Sequence, residues 1–415
     1  MMKTLRWFLL VMCLAFGSFG QTTAAPAFDV EKATRAYLDQ IPPAKKAQSD
    51  AYFEGGYWLQ LWGFIYGAGI AALLLQGRLS ARMRDLAQRC TRFKPVHTAI
   101  YAIQYVLLTS ILGLPLGIYS DYFREHQYGL SNLALGGWFK EWVEGVILAA
   151  IGTAILLIPL FRIVRRLPRT WHLWGAAVTL VFLIIAVVIS PVFIAPIFNK
   201  YTVLDDPKVV DPILRLARAN GIPADKVYVM DASKQTTRVS ANVSGFMGTM
   251  RITLNDNLLN RCSLPEIEAV MAHEMGHYVM NHIFKEIMFF GIVIVVGFAI
   301  LRWAMERLLA SFGESWGISG IGDLAVLPLA AFVLSAFFFV LTPFTNSFIR
   351  SQEMEADMFG LNAGRQPDGF AEAALKLGEY RKMEPGPVEE WIFFDHPSGA
   401  TRIYCAMRWK AANLP

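Results

Sequence analysis

The pattern of apolar and polar positions divides the chain into long apolar runs and two polar blocks. Six runs, at about 57–77, 98–119, 143–163, 172–197, 284–309 and 325–347, each come near the twenty or so residues that a helix needs to cross a hydrocarbon core. Several are bracketed by interfacial aromatics, Trp138 and Trp142 among them. Six such runs in one chain argue against the buried helices of a soluble core. A shorter run at 7–19 follows Lys3 and Arg6 and precedes small residues around Ala24 and Ala25. It reads as a signal peptide, with an uncleaved N-terminal anchor as the alternative. The division that follows is 1–25 leader, 26–198 with four membrane helices, 199–283 polar block, 284–347 with two membrane helices, and 348–415 polar C-terminal block.

Within the first polar block, Asp206-Pro207 opens a helix that Asn220-Gly221 closes. Residues 226–230 (KVYVM) alternate as a strand, and residues 239–246 and 250–254, divided by Gly245 and Gly248, read as a hairpin. A second helix starts with the capping box Ser263-Leu264-Pro265-Glu266 and runs on through His273-Glu274-Met275-Gly276-His277. The expected fold is therefore predominantly α: a polytopic α-helical membrane protein carrying a small α+β block of gluzincin-like metalloprotease type.

Composition agrees with this reading. Of 415 residues, 55% are hydrophobic and 17% charged, and the mean hydropathy is +0.40. The net charge of +5 is mild and the bases are concentrated in short loops between apolar runs, which sets topology and gives no support to nucleic-acid binding. Four cysteines show no metal or redox spacing.

The chemistry lies in the HExxH helix. Histidines at i and i+4 share a face one turn apart, so His273 and His277 can hold one ion. Glu274, beside that face, is placed as a general base toward a water that the metal activates. Seven histidines in the chain make a chance HExxH an event of roughly one such sequence in 200. Gly276 inside the helix suits a close approach by a strand or an ion. A third ligand must come from another helix, and the segment 346–357 offers Glu353 and Asp357 four residues apart. Glu353 is the chosen ligand and Asp357 the acceptor that orients a ligand histidine, with Glu355 the weaker choice. Two histidines and a carboxylate with an open position favour Zn2+, one per chain.

The order HEMGH, two spans, RSQEMEADMFG and FFDHPSGATRI closely resembles the integral-membrane CAAX prenyl endopeptidases, from about residue 50 onward. The resemblance implies helices enclosing an intramembrane chamber, zinc held by His273, His277 and Glu353, Glu274 as base and Asp357 in support. It further implies that His396 steadies the oxyanion and that Arg402 acts on substrate or site electrostatics. Asn242, on the edge formed by residues 240–244, would contact the backbone of a substrate added as a strand.

Arg78, Arg82, Arg84, Arg89, Arg92 and Lys94 crowd one loop, and Arg162, Arg165, Arg166 and Arg169 another, while 120–142 has only Arg124 and Lys140. The positive-inside rule places both basic loops in the cytoplasm and both polar blocks outside it. The expected protein is thus a membrane metalloendopeptidase of a bacterial inner membrane with a periplasmic site. Its partners are the lipid bilayer and a peptide or protein substrate that is membrane-associated or hydrophobic-ended. A transporter with a structural metal is disfavoured by spans nearly free of charge. A non-catalytic chaperone or scaffold has no use for Glu274.

Overall fold

A computed structural model describes residues 28–244 and 250–414. The expected leader lies outside these residues, as does the tip joining the two hairpin strands.

Among the described residues, six helices are long and apolar enough to cross a membrane: Pro43–Gln76, Lys94–Gln127, Leu135–Arg166, Trp171–Phe198, His282–Trp316 and Leu324–Gly364. Each contains one of the apolar runs read from the sequence. Their outward faces carry large apolar side chains at helical spacing, as in the exposed stripe Ile147, Ile151 and Ile155. A bilayer facing such a stripe removes it from water.

The two ends of this bundle differ. At one end Arg78 donates to the Ser315 carbonyl, Arg84 to Asp323 and Arg165 to the Gly322 carbonyl. At the other, the loop after the second span meets the first polar block, where Asn132 donates to the Ser233 carbonyl and Arg238 pairs with Glu125 at 2.7 Å. The basic loops therefore lie at the end away from the HExxH helix.

The polar block forms a four-stranded sheet: β1 (Tyr201–Val203), β2 (Val227–Met230), β3 (Ala241–Ser244) and β4 (Arg251–Asn255), in the order β1-β2-β4-β3. The β3–β4 pairing is antiparallel, with Asn242 opposite Thr253, as the hairpin reading requires. β1 was not legible because three residues carry too little alternation. β2 and β4 run parallel, joined by the crossover that contains β3. The helix Pro207–Ala219 starts on the Asp206 side chain, which accepts from Lys208 N.

The metal helix, Leu264–Val279, opens with its capping box, Glu266 accepting from Ser263 N at 2.5 Å. It packs antiparallel against the helix of the sixth span, which continues unbroken from Leu327 to Gly364 and so carries residues 348–364 beyond the apolar run. Small residues set this approach. A Cβ on Gly276 would lie 3.1 Å from Ala356 Cα, and one on Gly360 would lie 2.9 Å from His273 N. Ala356, Gly360 and Gly364 repeat every fourth residue along that face. The close partner of Gly276 is thus a helix, not the strand or ion expected from sequence.

Gly360→Ala places a methyl group against the His273 backbone and is expected to cost about 1–3 kcal/mol. A lowered midpoint of thermal unfolding in detergent checks this. Gly69→Ala, where nothing lies within 4 Å of the added carbon, is the control expected to leave the midpoint in place.

Candidate metal centre and active-site cleft

Two helices bring three ligand atoms together. His273 Nε2 and His277 Nε2 are 3.2 Å apart. Glu353 Oε2 lies 3.3 Å from His273 Nε2, and its Oε1 3.4 Å from His277 Nε2. Ligands held about 2.0–2.1 Å from a tetrahedral ion stand roughly 3.3–3.4 Å from one another. The buried Glu353 Oε2 has no hydrogen-bond donor among the described residues. An unpaired carboxylate oxygen facing two imidazole nitrogens is a donor set that a divalent metal satisfies.

Each histidine is oriented through its other ring nitrogen. His273 Nδ1 lies 2.8 Å from the buried Asp357 Oδ1. Asp357 in turn accepts from Arg402, Nε at 2.9 Å and a second guanidinium nitrogen beside it. Arg402 is buried, and this pairing compensates its charge. On the other side His277 Nδ1 lies 2.9 Å from His282 Nδ1, and His282 Nε2 lies 3.1 Å from Glu355 Oε2. Donation from His282 Nε2 to Glu355 leaves His282 Nδ1 as acceptor for the proton on His277 Nδ1. His277 Nε2 then keeps its lone pair for the metal. Lys285 holds Glu355 in place.

His273, Glu274, Glu353, His396 and Arg402 line one cleft of about 240 Å³ together with Ser240 and Ala241 of the β3 edge. Desolvation pushes the Glu274 carboxyl up to about 7, against the pull of His273 and Arg402 and with a push from Glu353. That suits a base working near neutral pH. Desolvation and the neighbouring His273 hold the His277 imidazole down, at about 4. Against desolvation, hydrogen bonds to Asp357 and Glu353 raise His273 to about 9, so a metal at this point takes the place of the His273 proton. His396 Nε2 stands 3.3 Å from Glu353 Oε2, and its Nδ1 is 2.7 Å from Asp395 Oδ1. Asn242 sits on β3, exposed, and is not part of the cleft wall.

Sequence reasoning missed His282, Asp395, Tyr380 and Arg381. His282 had a signal: a histidine five residues past HExxH, at the mouth of an apolar span. Asp395 directly precedes His396 but looked like one more loop acid. No disulfide joins the described cysteines, and Cys262 and Cys405 are free.

A bundle of membrane-crossing helices bearing this buried cluster defines an integral-membrane metallopeptidase. Residues 204–410 match peptidase family M48, and residues 30–200 match the CAAX prenyl protease N-terminal region of five membrane helices. CAAX prenyl protease 1 of Saccharomyces cerevisiae is 31% identical over 335 residues, covering 75% of this chain and 73% of that protein. The metalloprotease YhfN of Bacillus subtilis (strain 168) is 29% identical over 377 residues, covering 90% and 88%. The crystal structure of Ste24p from S. mikatae shares the fold, with a TM-score of 0.76 at 22% identity over 91% of this chain and 94% of that one. The chain belongs to the CAAX prenyl protease-like membrane metallopeptidases of family M48.

His282→Ala and Asp357→Asn are each expected to weaken metal binding about 10- to 100-fold. Competition with a chromophoric chelator measures this, and unchanged affinity in His282→Ala would remove its orienting role.

Proposed function

We propose that this chain is a zinc-dependent endopeptidase that acts outside the cytoplasm on membrane-associated or hydrophobic-ended proteins. The observation that carries the reading is the 3.2–3.4 Å spacing of His273 Nε2, His277 Nε2 and the Glu353 oxygens, with Glu274 in the same cleft. Bound there, zinc supplies Lewis acidity that lowers the pKa of a water and polarises a carbonyl.

The chain's own groups do the rest. Glu274 takes the proton of the attacking water and passes it to the leaving amine. His396, its ring steered by Asp395, presents Nε2 to the developing oxyanion. Asp357 and Arg402 hold His273 fixed, so the ligand does not reorganise as charge develops. The free edge of β3 takes the substrate as an added strand, with Asn242 as a backbone contact. Residues 199–283 and 348–415 together form the catalytic unit, and residues 26–198 and 284–347 anchor it in the bilayer.

The name of the yeast relative, CAAX prenyl protease 1, points to prenylated CAAX ends. For this chain an outward-facing site favours envelope proteins instead. The separation of the basic loops from the metal helix supports that orientation, and a leader of signal-peptide type fits an inner-membrane protein with a periplasmic site.

Purified protein and Glu274→Gln are both expected to hold about one zinc per chain, with casein or model-peptide cleavage lost by roughly 10²–10⁴-fold in the variant. Absence of zinc from both would sink the reading. For orientation, a periplasm-only reporter fused after Pro415 should be active and a cytoplasm-only reporter silent.

A further inference from the structure

The fourth span ends beside a cluster of cations. A cavity of about 540 Å³ is walled on one side by Pro196, Ile197 and Phe198, the last residues of that span, and on the other by Lys200, Lys234 and Arg251. Lys200 follows the span directly, Lys234 lies on the turn after β2, and Arg251 opens β4. Three separate stretches of chain thus bring their charges to one place where a membrane helix ends.

Little within the protein answers these charges. Lys234 meets Asp231 at 3.2 Å, and the other Asp231 oxygen accepts from Lys200 N at 2.7 Å, so that carboxylate is already engaged. Glu141 is engaged too, accepting from Gln235 at 2.5 Å. The Lys200 ammonium and the Arg251 guanidinium pair with no carboxylate among the described residues. Arg251 is nonetheless held in place. It lies over the Tyr201 ring at 4.3 Å and donates to the Pro191 carbonyl of the fourth span at 3.2 Å. A guanidinium steadied in this way presents a planar fork that matches phosphate oxygens, and an ammonium beside it adds a point charge.

The position of the cluster says which anion arrives there. Val192, Phe193 and Ile197 are exposed along the last turns of the span, an apolar track that ends at the cations. A soluble anion leaves that track uncovered. A lipid fills both parts, its acyl chains along the span and its phosphate between Lys200 and Arg251.

We propose that this cavity is a binding site for the phosphate-bearing headgroup of an anionic membrane phospholipid. The site requires only that the fourth span crosses a bilayer. It stands apart from the peptidase reading and from the direction in which the metal centre faces.

Photolabelling of the full chain in detergent with a photoreactive short-chain phosphatidylglycerol, mapped by peptide mass spectrometry, tests the assignment. Label is expected on residues 192–201. Lys200→Gln and Arg251→Gln should each reduce it about fivefold, as loss of one cation near a lipid surface predicts, and Arg251→Lys should keep most of it. Lys200 is exposed, so its variant removes a charge without disturbing the fold. Label on the basic loop at 78–94 is the internal reference, unchanged in every variant. Absence of label from 192–201, equal labelling there by a photoreactive phosphatidylcholine, or label that survives both Gln variants overturns the proposal. Displacement by inorganic phosphate as readily as by unlabelled phosphatidylglycerol would reveal a site for soluble anions and overturn the lipid assignment.

Discussion

Gly276 lets the metal helix settle against Ala356, and Gly360 lets the sixth-span helix settle against the backbone of His273. The rest of the site depends on this approach. Two histidines one turn apart on one helix can reach a common point without help. A carboxylate from a second helix joins them only if the helix axes come closer than ordinary side chains allow. With hydrogen atoms at the contact, Glu353 stands within 3.4 Å of both imidazoles. The spacing is carried by backbone against backbone, which does not rearrange as a flexible side chain would.

The same helix pair also solves an electrostatic problem. His273, Glu353, Asp357 and Arg402 are all buried, and isolated charges there would be strongly disfavoured. Asp357 meets this by facing Arg402 on one side and His273 on the other. Toward the membrane mouth, His282 links His277 to the exposed pair of Glu355 and Lys285. Both ligand histidines are thus fixed by hydrogen bonds leading away from the metal point, one into the core and one out to the surface. Their Nε2 atoms are left facing each other and Glu353.

The sixth span contributes directly to the chemistry. Its helix continues unbroken into the segment bearing Glu353 and Asp357, so membrane anchorage and ligand position share one rigid element. The C-terminal helices then close the cleft from the opposite side. Arg402 lies on Gly399–Asn413 and His396 on the turn before it. Three separated stretches of chain meet at one point because helices pack against both faces of the metal helix.

Much of this was legible in the sequence for reasons that are local. A span is announced by twenty apolar residues whatever surrounds it, because the bilayer imposes its thickness on any helix. HExxH is set by the 3.6-residue turn, and the capping box by the unpaired amides of a helix start. Glu353 and Asp357 follow from the same periodicity once a second polar helix is sought. What the sequence could not disclose depends on distances between elements. His282 becomes an orienting group only because the fifth span begins beside His277. Gly276 has a helix as its neighbour because the final span returns antiparallel. Arg251 is an ordinary strand arginine by its neighbours in the chain. Its place beside Lys200 at the end of the fourth span exists only after the sheet is folded against that span. Local periodicity determined which residues could bind a metal; packing between distant segments decided which charges were left free to meet a ligand from outside.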